Sequence, residues 1–231
     1  MSFRSVYPIA GALLALAMAT CLPLHASDFS GNIALTSDYV FRGISQAQGA
    51  SALQAGARVD ADSGLYGAAW VSKVDFAGTP DASAEIDYIA GWQQKLGGDW
   101  SGDLNVTWFT YAGAKELDYL EWIATATWRD RAWLMLGASS DVFATGRTGL
   151  YAQAGVRIPV HDTARIEFAT GYYRLHRSYG RSYAHAQATV AWQMHPRVEL
   201  RLSSHLTDHD ARAIFGNLAG PRFEAALQAS F

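Results

Sequence analysis

Period-two alternation of apolar and polar residues, repeated in segments of about ten residues from Gly31 to Phe231, is the feature that most limits how this chain can fold. Beyond Ser27 no stretch sustains the rhythm of an amphipathic helix, and no run is apolar enough for a spanning helix. The pattern predicts strands over Gly31–Asp38, Ala52–Ala61, Leu65–Val74, Ala84–Gln94, Trp100–Thr110, Tyr119–Trp128, Ala132–Ser140, Leu150–Val160, Ala164–Tyr173, Tyr183–Gln193, Val198–Leu206 and Arg222–Phe231. A tilted strand of about ten residues is what crossing an outer-membrane hydrocarbon layer requires. At 231 residues the chain has room for one such all-β unit of about 12 strands.

The connections alternate in length. Asp62-Ser63-Gly64, Leu96-Gly97-Gly98-Asp99, Arg129-Asp130-Arg131, His161-Asp162-Thr163 and His195-Pro196 read as tight turns. Between them lie the longer segments Phe76 to Ser83, Ala112 to Asp118, Val142 to Gly149, Arg174 to Ser182 and Thr207 to Gly220. Short turns at one end and long loops at the other are the layout of an antiparallel transmembrane barrel with periplasmic turns and external loops. Both termini then fall on the periplasmic side.

A soluble β-sandwich shares the alternation but buries its apolar face, so the content of the faces separates the two. Trp100, Gly102, Leu104, Val106 and Trp108 share one face of the fifth segment, and Ser101, Asp103, Asn105, Thr107 and Phe109 the other. Two tryptophans eight residues apart stand roughly 20 Å apart along a membrane normal, as two aromatic girdles require. Trp92, Trp128 and Trp192 fall beside tight turns, where an indole keeps its apolar body in lipid and its N–H in water. Leu120, Trp122, Ala124, Ala126 and Trp128 oppose Glu121, Thr125 and Thr127; Ala184, Ala186, Ala188, Val190 and Trp192 oppose Tyr183, His185, Gln187 and Thr189. Around Trp133 to Leu136 both faces are apolar, and parity there is open.

At the N-terminus Arg4 precedes an apolar run from Ile9 to Leu24 that ends in Leu24-His25-Ala26, the layout of a secretory signal peptide cleaved after Ala26. The expected division is a leader over 1–26 and a barrel over 27–231. Gly11, Thr20 and Pro23 interrupt the run and argue against an uncleaved anchor. The single cysteine, Cys21, lies in the leader, so the mature chain has no disulfide to hold it. A lipoprotein reading would lipidate Cys21, but Thr20 is bulkier than the small residue such a site needs. At the other end Phe223, Ala225, Leu227, Ala229 and Phe231 alternate with polar or small residues, and a last strand ending in Phe231 is the form in which outer-membrane barrels present an insertion signal to the assembly machinery. The formal net charge of -3 gives no basic field for nucleic acid.

Thr36-Ser37-Asp38-Tyr39-Val40-Phe41-Arg42-Gly43-Ile44-Ser45-Gln46, then Ala52-Leu53-Gln54 and Gly64 to Phe76, resembles the TorF-type family of bacterial proteins assigned to outer-membrane porins, much of it catalogued only as conserved proteins of unknown function. Glu85-Ile86-Asp87-Tyr88 and Tyr119-Leu120-Glu121 are similar to its later blocks, and Ser51 stands where its pattern leads one to expect proline. The resemblance implies an outer-membrane barrel with a transport role and supplies no catalytic or binding residues. Its motif residues here are Asp38, Tyr39, Phe41, Arg42, Gly43 and Gln46. Tyr39-Val40-Phe41 would bring the first strand to the outer interface, Arg42-Gly43 would begin the first external loop, and Arg42 would pair inside the barrel with Asp38, Glu85 or Asp87.

If the apolar faces meet lipid, Arg58, Asp60, Glu85, Asp87, Asp103, Glu121, Arg157, Arg165, Glu167, Arg201 and Glu224 line the lumen. Charges of both signs there either set up a transverse field that selects small polar solutes or pair with one another and plug the barrel. The expected activity is therefore a narrow channel, with a closed structural or surface-interaction barrel as the alternative. A lipid hydrolase would need a lipid-facing serine beside a histidine; Ser203, Ser204, His205, His209, Asp208 and Asp210 are the candidates, but Ser203 and His205 share inward parity. Asp208-His209-Asp210 has the groups for a divalent cation. Arg174, His176, Arg177 and Arg181 around Tyr179 form a basic loop suited to lipopolysaccharide phosphates or an anionic solute. No phosphate loop, dinucleotide fingerprint or zinc spacing calls for a cofactor.

Overall fold

The computed structural model describes residues 28–76, 79 and 81–231, so the leader expected over 1–26 lies outside the described residues. Its strands are β1 (Asp28–Thr36), β2 (Val40–Phe41), β3 (Ile44–Ser45), β4 (Ala52–Asp60), β5 (Leu65–Lys73), β6 (Ala84–Gly97), β7 (Trp100–Ala112), β8 (Tyr119–Trp128), β9 (Ala132–Ser139), β10 (Gly149–His161), β11 (Ala164–Arg174), β12 (Tyr183–His195), β13 (Val198–Thr207) and β14 (Arg222–Ser230). Twelve of them, all but β2 and β3, close into one antiparallel barrel in which each strand pairs with its neighbours in sequence. β1 joins β4 on one side and closes on β14 on the other, in register from Asn32 opposite Ser230 to Thr36 opposite Ala226. The all-β, twelve-stranded architecture read from the alternation is the one observed.

The barrel has a turn end and a loop end. At the turn end Gly64, at φ 86°, meets the opposite strand so closely that a Cβ there would lie 2.3 Å from the Gln93 carbonyl oxygen, so the tight turn needs glycine. At the loop end two short helices, α1 (His176–Tyr179) and α2 (His209–Phe215), sit in the connections after β11 and β13.

The apolar side chains face out and much of the packed core lies inside the mouth. Trp100 and Trp108 are each about half exposed, with Tyr88, Trp92, Trp122, Trp128 and Trp192, whereas Tyr119, Tyr151, Tyr173 and Tyr183 are buried inside the loop half. Phe143 bridges the two internal clusters, edge-on to Tyr119 at 5.4 Å and to Tyr173 at 5.7 Å. The open parity of β9 resolves with Leu134 and Leu136 outward; Trp133 lies inside, over Gly155, where a Cβ would come within 2.1 Å of its ring.

One expectation fails. β1 ends at Thr36, and Tyr39-Val40-Phe41 does not carry it to an outer interface; Arg42-Gly43 does not open an external loop either. Residues 37–51 instead contain a hairpin, β2 against β3, with Arg42 (φ 50°) and Gly43 (φ 83°) at its two-residue tip. The hairpin folds into the barrel because Tyr39, Phe41 and Ile44 find an aromatic interior to pack against.

Candidate functional site

The hairpin tip crosses the lumen from β1 and β4 to the far wall. Arg42 donates from Nη1 to Glu121 Oε1 at 3.0 Å and from Nη2 to Glu121 Oε2 at 2.7 Å, on β8. Its guanidinium lies 3.8 Å from the Tyr151 ring centroid and 4.7 Å from that of Tyr173. Two glycines make the approach possible. A Cβ at Gly137 would sit 2.7 Å from Glu121 Oε1, and one at Gly171 would sit 2.4 Å from His185 Nε2. Tyr183 Oη donates to the Arg42 carbonyl at 3.1 Å, so the tip is held through backbone and side chain alike. The bidentate, fully desolvated geometry is the strong form of an arginine–carboxylate pair.

The partner expected for Arg42 was Asp38, Glu85 or Asp87, and the observed partner is Glu121. Asp38 is used within and beside the hairpin, accepting from Ser45 Oγ at 2.7 Å and lying 3.3 Å from Arg222 Nη1. Gln46 closes the hairpin, its N–H bonding the Tyr39 carbonyl at 2.7 Å. Glu85 accepts from Tyr39 Oη at 3.3 Å, and Asp87 is buried beside it.

Below the hairpin the lumen is more open. A cavity of about 690 Å³ runs beneath Phe41, lined among others by Arg58, Asp87, Asp103, Asn105 and Thr107. Arg58 pairs with Asp60 at 2.6 Å and lies 3.6 Å over the Tyr66 ring. Across the barrel Glu167 lies 3.1 Å from Arg157, 2.7 Å from Arg165 and 3.1 Å from Arg201. Glu199 lies 2.6 Å from Arg165 and 3.1 Å from Arg201. These side chains keep between 12% and 38% of their surface exposed.

The two walls differ in sign. On β10, β11 and β13 three arginines face two glutamates, leaving one net positive charge; on β4, β6 and β7 Arg58 faces Asp60 and Asp103, leaving one net negative charge before the buried pair Glu85 and Asp87 is counted. β4–β7 and β10–β13 stand on opposite sides of the twelve-strand ring.

Most of the remaining candidates are either held by protein partners or exposed at the loop end. Ser203 shares a hydrogen bond with Thr189 at 2.9 Å, and His205 Nε2 lies 3.0 Å from Glu224 Oε2; both are buried inside the wall, so they do not form the lipid-facing pair a hydrolase would need. Glu224 also accepts from Thr36 at 2.9 Å. Ser204 is half-buried on β13, opposite in parity to Ser203. Asp208 caps α2, accepting from Ala211 N at 3.0 Å and Ala184 N at 2.7 Å, while Asp210 pairs with Arg181 at 2.6 Å and His209 stands exposed. Arg174, His176 and Arg177 are exposed at the loop end with Tyr179. Phe231 exchanges two backbone hydrogen bonds with Gly31, at 2.9 and 3.0 Å, at the seam where the barrel closes.

The sequence pattern did not single out Glu199, whose parity with Arg201 was signal enough, or Tyr151; parity places His185 on the inward face, but its hydrogen bond to Tyr151 at 2.8 Å beneath Arg42 has no local signal.

The sequence matches the family model described as a bacterial protein of unknown function (Gcw_chp) over residues 23–224. The chain belongs to the Gcw_chp family. No curated protein matches its sequence. Among solved structures it is similar to a KdgM porin, at 8% identity and TM-score 0.56, over 89% of this chain and 99% of that one. A NanC porin is similar at 8% identity and TM-score 0.56, over 88% and 99%. The COG4313 outer membrane channel from Pseudomonas putida F1 is similar at 10% identity and TM-score 0.51, over 91% and 96%. These likenesses extend over nearly the whole of each chain and establish that this Gcw_chp member shares their barrel fold.

Proposed function

We propose that this protein is a narrow outer-membrane channel for small polar solutes, belonging to the TorF-type group, with the β2–β3 hairpin as its constriction. The observation that carries the reading is the cavity of about 690 Å³ beneath the hairpin, bordered by Arg58, Asp87 and Asp103 of the acidic wall, with the arginine-rich network of β10, β11 and β13 on the opposite side of the ring. Oppositely charged walls orient polar solutes and bias ion passage in a narrow water-filled lumen. The outward Trp and Tyr bands fit the two interfaces of a bilayer. The resemblance of the hairpin motif and the fold shared with porins support the same reading. In this proposal the leader over 1–26 exports the chain, the barrel-assembly machinery inserts it through the Phe231 strand, and lipopolysaccharide surrounds its basic loop.

A second reading, a closed structural or surface-interaction barrel, has one observation in its favour: Arg42 and Glu121 are almost wholly desolvated where the hairpin crosses the lumen. Planar-bilayer recording separates the two. Discrete conductance steps, with ion selectivity that moves toward cations in Arg201→Gln, are expected of the channel. A heat-modifiable, folded barrel without steps would reject it in favour of the closed form.

A further inference from the structure

The described inward-facing acids differ in what neutralises them. Asp60, Glu121, Glu167 and Glu199 each have an arginine nitrogen within about 3 Å, and Glu224 has His205. Asp103 accepts from Asn105 Nδ2 at 2.8 Å. Glu85 and Asp87, two positions apart on β6, are 2% and 8% exposed, with no lysine, arginine or histidine among the described residues in salt-bridge contact with either. Asp87 Oδ1 is buried without any hydrogen-bond partner in the protein. A desolvated carboxylate pair lacking a counter-ion costs several kcal/mol unless a proton or a cation joins it.

What surrounds the pair is aromatic. Across the ladder Asp87 is flanked by Trp70 on β5 and Phe109 on β7. Tyr39 reaches in from the hairpin, edge-on to Trp70 at 5.2 Å, and donates to Glu85 at 3.3 Å. Phe41 lies edge-on to Phe109 at 5.9 Å. Asp87, Trp70, Phe41 and Phe109 all border the cavity beneath the hairpin, so the Asp87 carboxyl stands at the cavity wall with its Oδ1 covered.

We propose that Glu85 and Asp87, walled by Trp70, Tyr39 and Phe109, form a subsite for the primary ammonium group of a small organic amine. The proposal deepens the channel reading and rests on it for the ligand's way in. An ammonium group has three N–H donors and no acceptor, which suits a carboxylate pair with an unfilled oxygen. Its charge is attracted by the faces of the aromatic rings. A calcium-like ion, in contrast, takes six to eight oxygens, and four carboxylate oxygens among rings do not supply them. The inference names a specificity element of the lumen: solutes with an amine end would pause at the hairpin where neutral or acidic solutes of equal size would not.

The test uses the protein purified from membranes in detergent, titrated with n-butylammonium chloride and followed by ligand NMR line broadening, with n-butanol as the uncharged control. Saturable binding of butylammonium, at least about ten-fold weaker in Glu85→Gln/Asp87→Asn and absent for butanol, is expected. Heat modifiability on a gel reports whether the variant folds, and Asp87→Asn alone carries the test if the double variant does not. Absence of binding, equal binding by native and variant protein, or equal binding of butanol would overturn the subsite; the first would mean that the carboxyls share a proton instead. Binding without bilayer conductance would keep the subsite and sink the channel, whereas conductance without binding would do the reverse.

Discussion

Arg42 with Glu121 and Arg201 with Glu199 are both arginine–glutamate pairs inside the same barrel, yet their side chains keep 4% and 0% of their surface in the first pair and 29% and 15% in the second. The first lies in the loop half, where a hairpin and a shell of tyrosines exclude water. The second lies in the turn half, where three arginines share two glutamates and each side chain keeps part of its surface exposed. The difference separates two uses of charge. A buried, bidentate pair fixes one geometry and is costly to break, whereas a half-solvated network contributes little to stability and leaves its field available to whatever enters.

Breaking one partner in each half should therefore give unequal results. Arg42→Ala strands Glu121 in the desolvated interior and is expected to destabilise the barrel by about 3–5 kcal/mol in urea unfolding from bilayers. On the outer wall Leu202 is half exposed beside inward-facing Arg201 on β13. Leu202→Arg should cost about 2–4 kcal/mol in the same assay, because one residue of parity separates a tolerated arginine from a lipid-exposed one. Equal stability of native protein and Leu202→Arg would show that this wall does not face hydrocarbon. Gly171→Ala forces a methyl against His185 and Tyr151 and should cost about 1–3 kcal/mol, with weakened anchoring of the hairpin. Arg201→Gln should shift the unfolding midpoint least, by less than about 1 kcal/mol, while changing ion selectivity. A large stability loss there would erase the distinction between the two halves.

The barrel strands were legible because their two environments impose opposite chemistry on successive residues. β8, with Leu120, Trp122 and Trp128 exposed and Glu121 buried, is visible from parity alone. Strand ends were legible to within a few residues, since the tight turns carry glycine, proline or clustered charge. The hairpin was not. Its tip places Arg42 at φ 50°, where two-residue turns usually carry asparagine, aspartate or glycine, so the ordinary turn signal is missing. β2 and β3 are two residues each, too short to show a period. The choice of Glu121 over Asp38, Glu85 or Asp87 depends on a contact between positions 79 residues apart, and on the space left by Gly137. No local pattern encodes that pairing. That Glu85 and Asp87 have no basic side chain among the described residues in salt-bridge contact was equally out of reach, because parity places an acid on a wall without naming its partner.

The division of the lumen into a hairpin-crossed half and an open, charged half is tested most directly by single-channel conductance before and after residues 39–46 are replaced by a short Gly-Ser linker, with heat modifiability confirming a folded barrel. The account predicts discrete steps in the native protein and a several-fold larger conductance in the replacement, with the sign of ion selectivity kept by the turn-half network. An unchanged conductance would contradict the hairpin as the constriction, and no conductance in either protein would show that the turn half is closed as well.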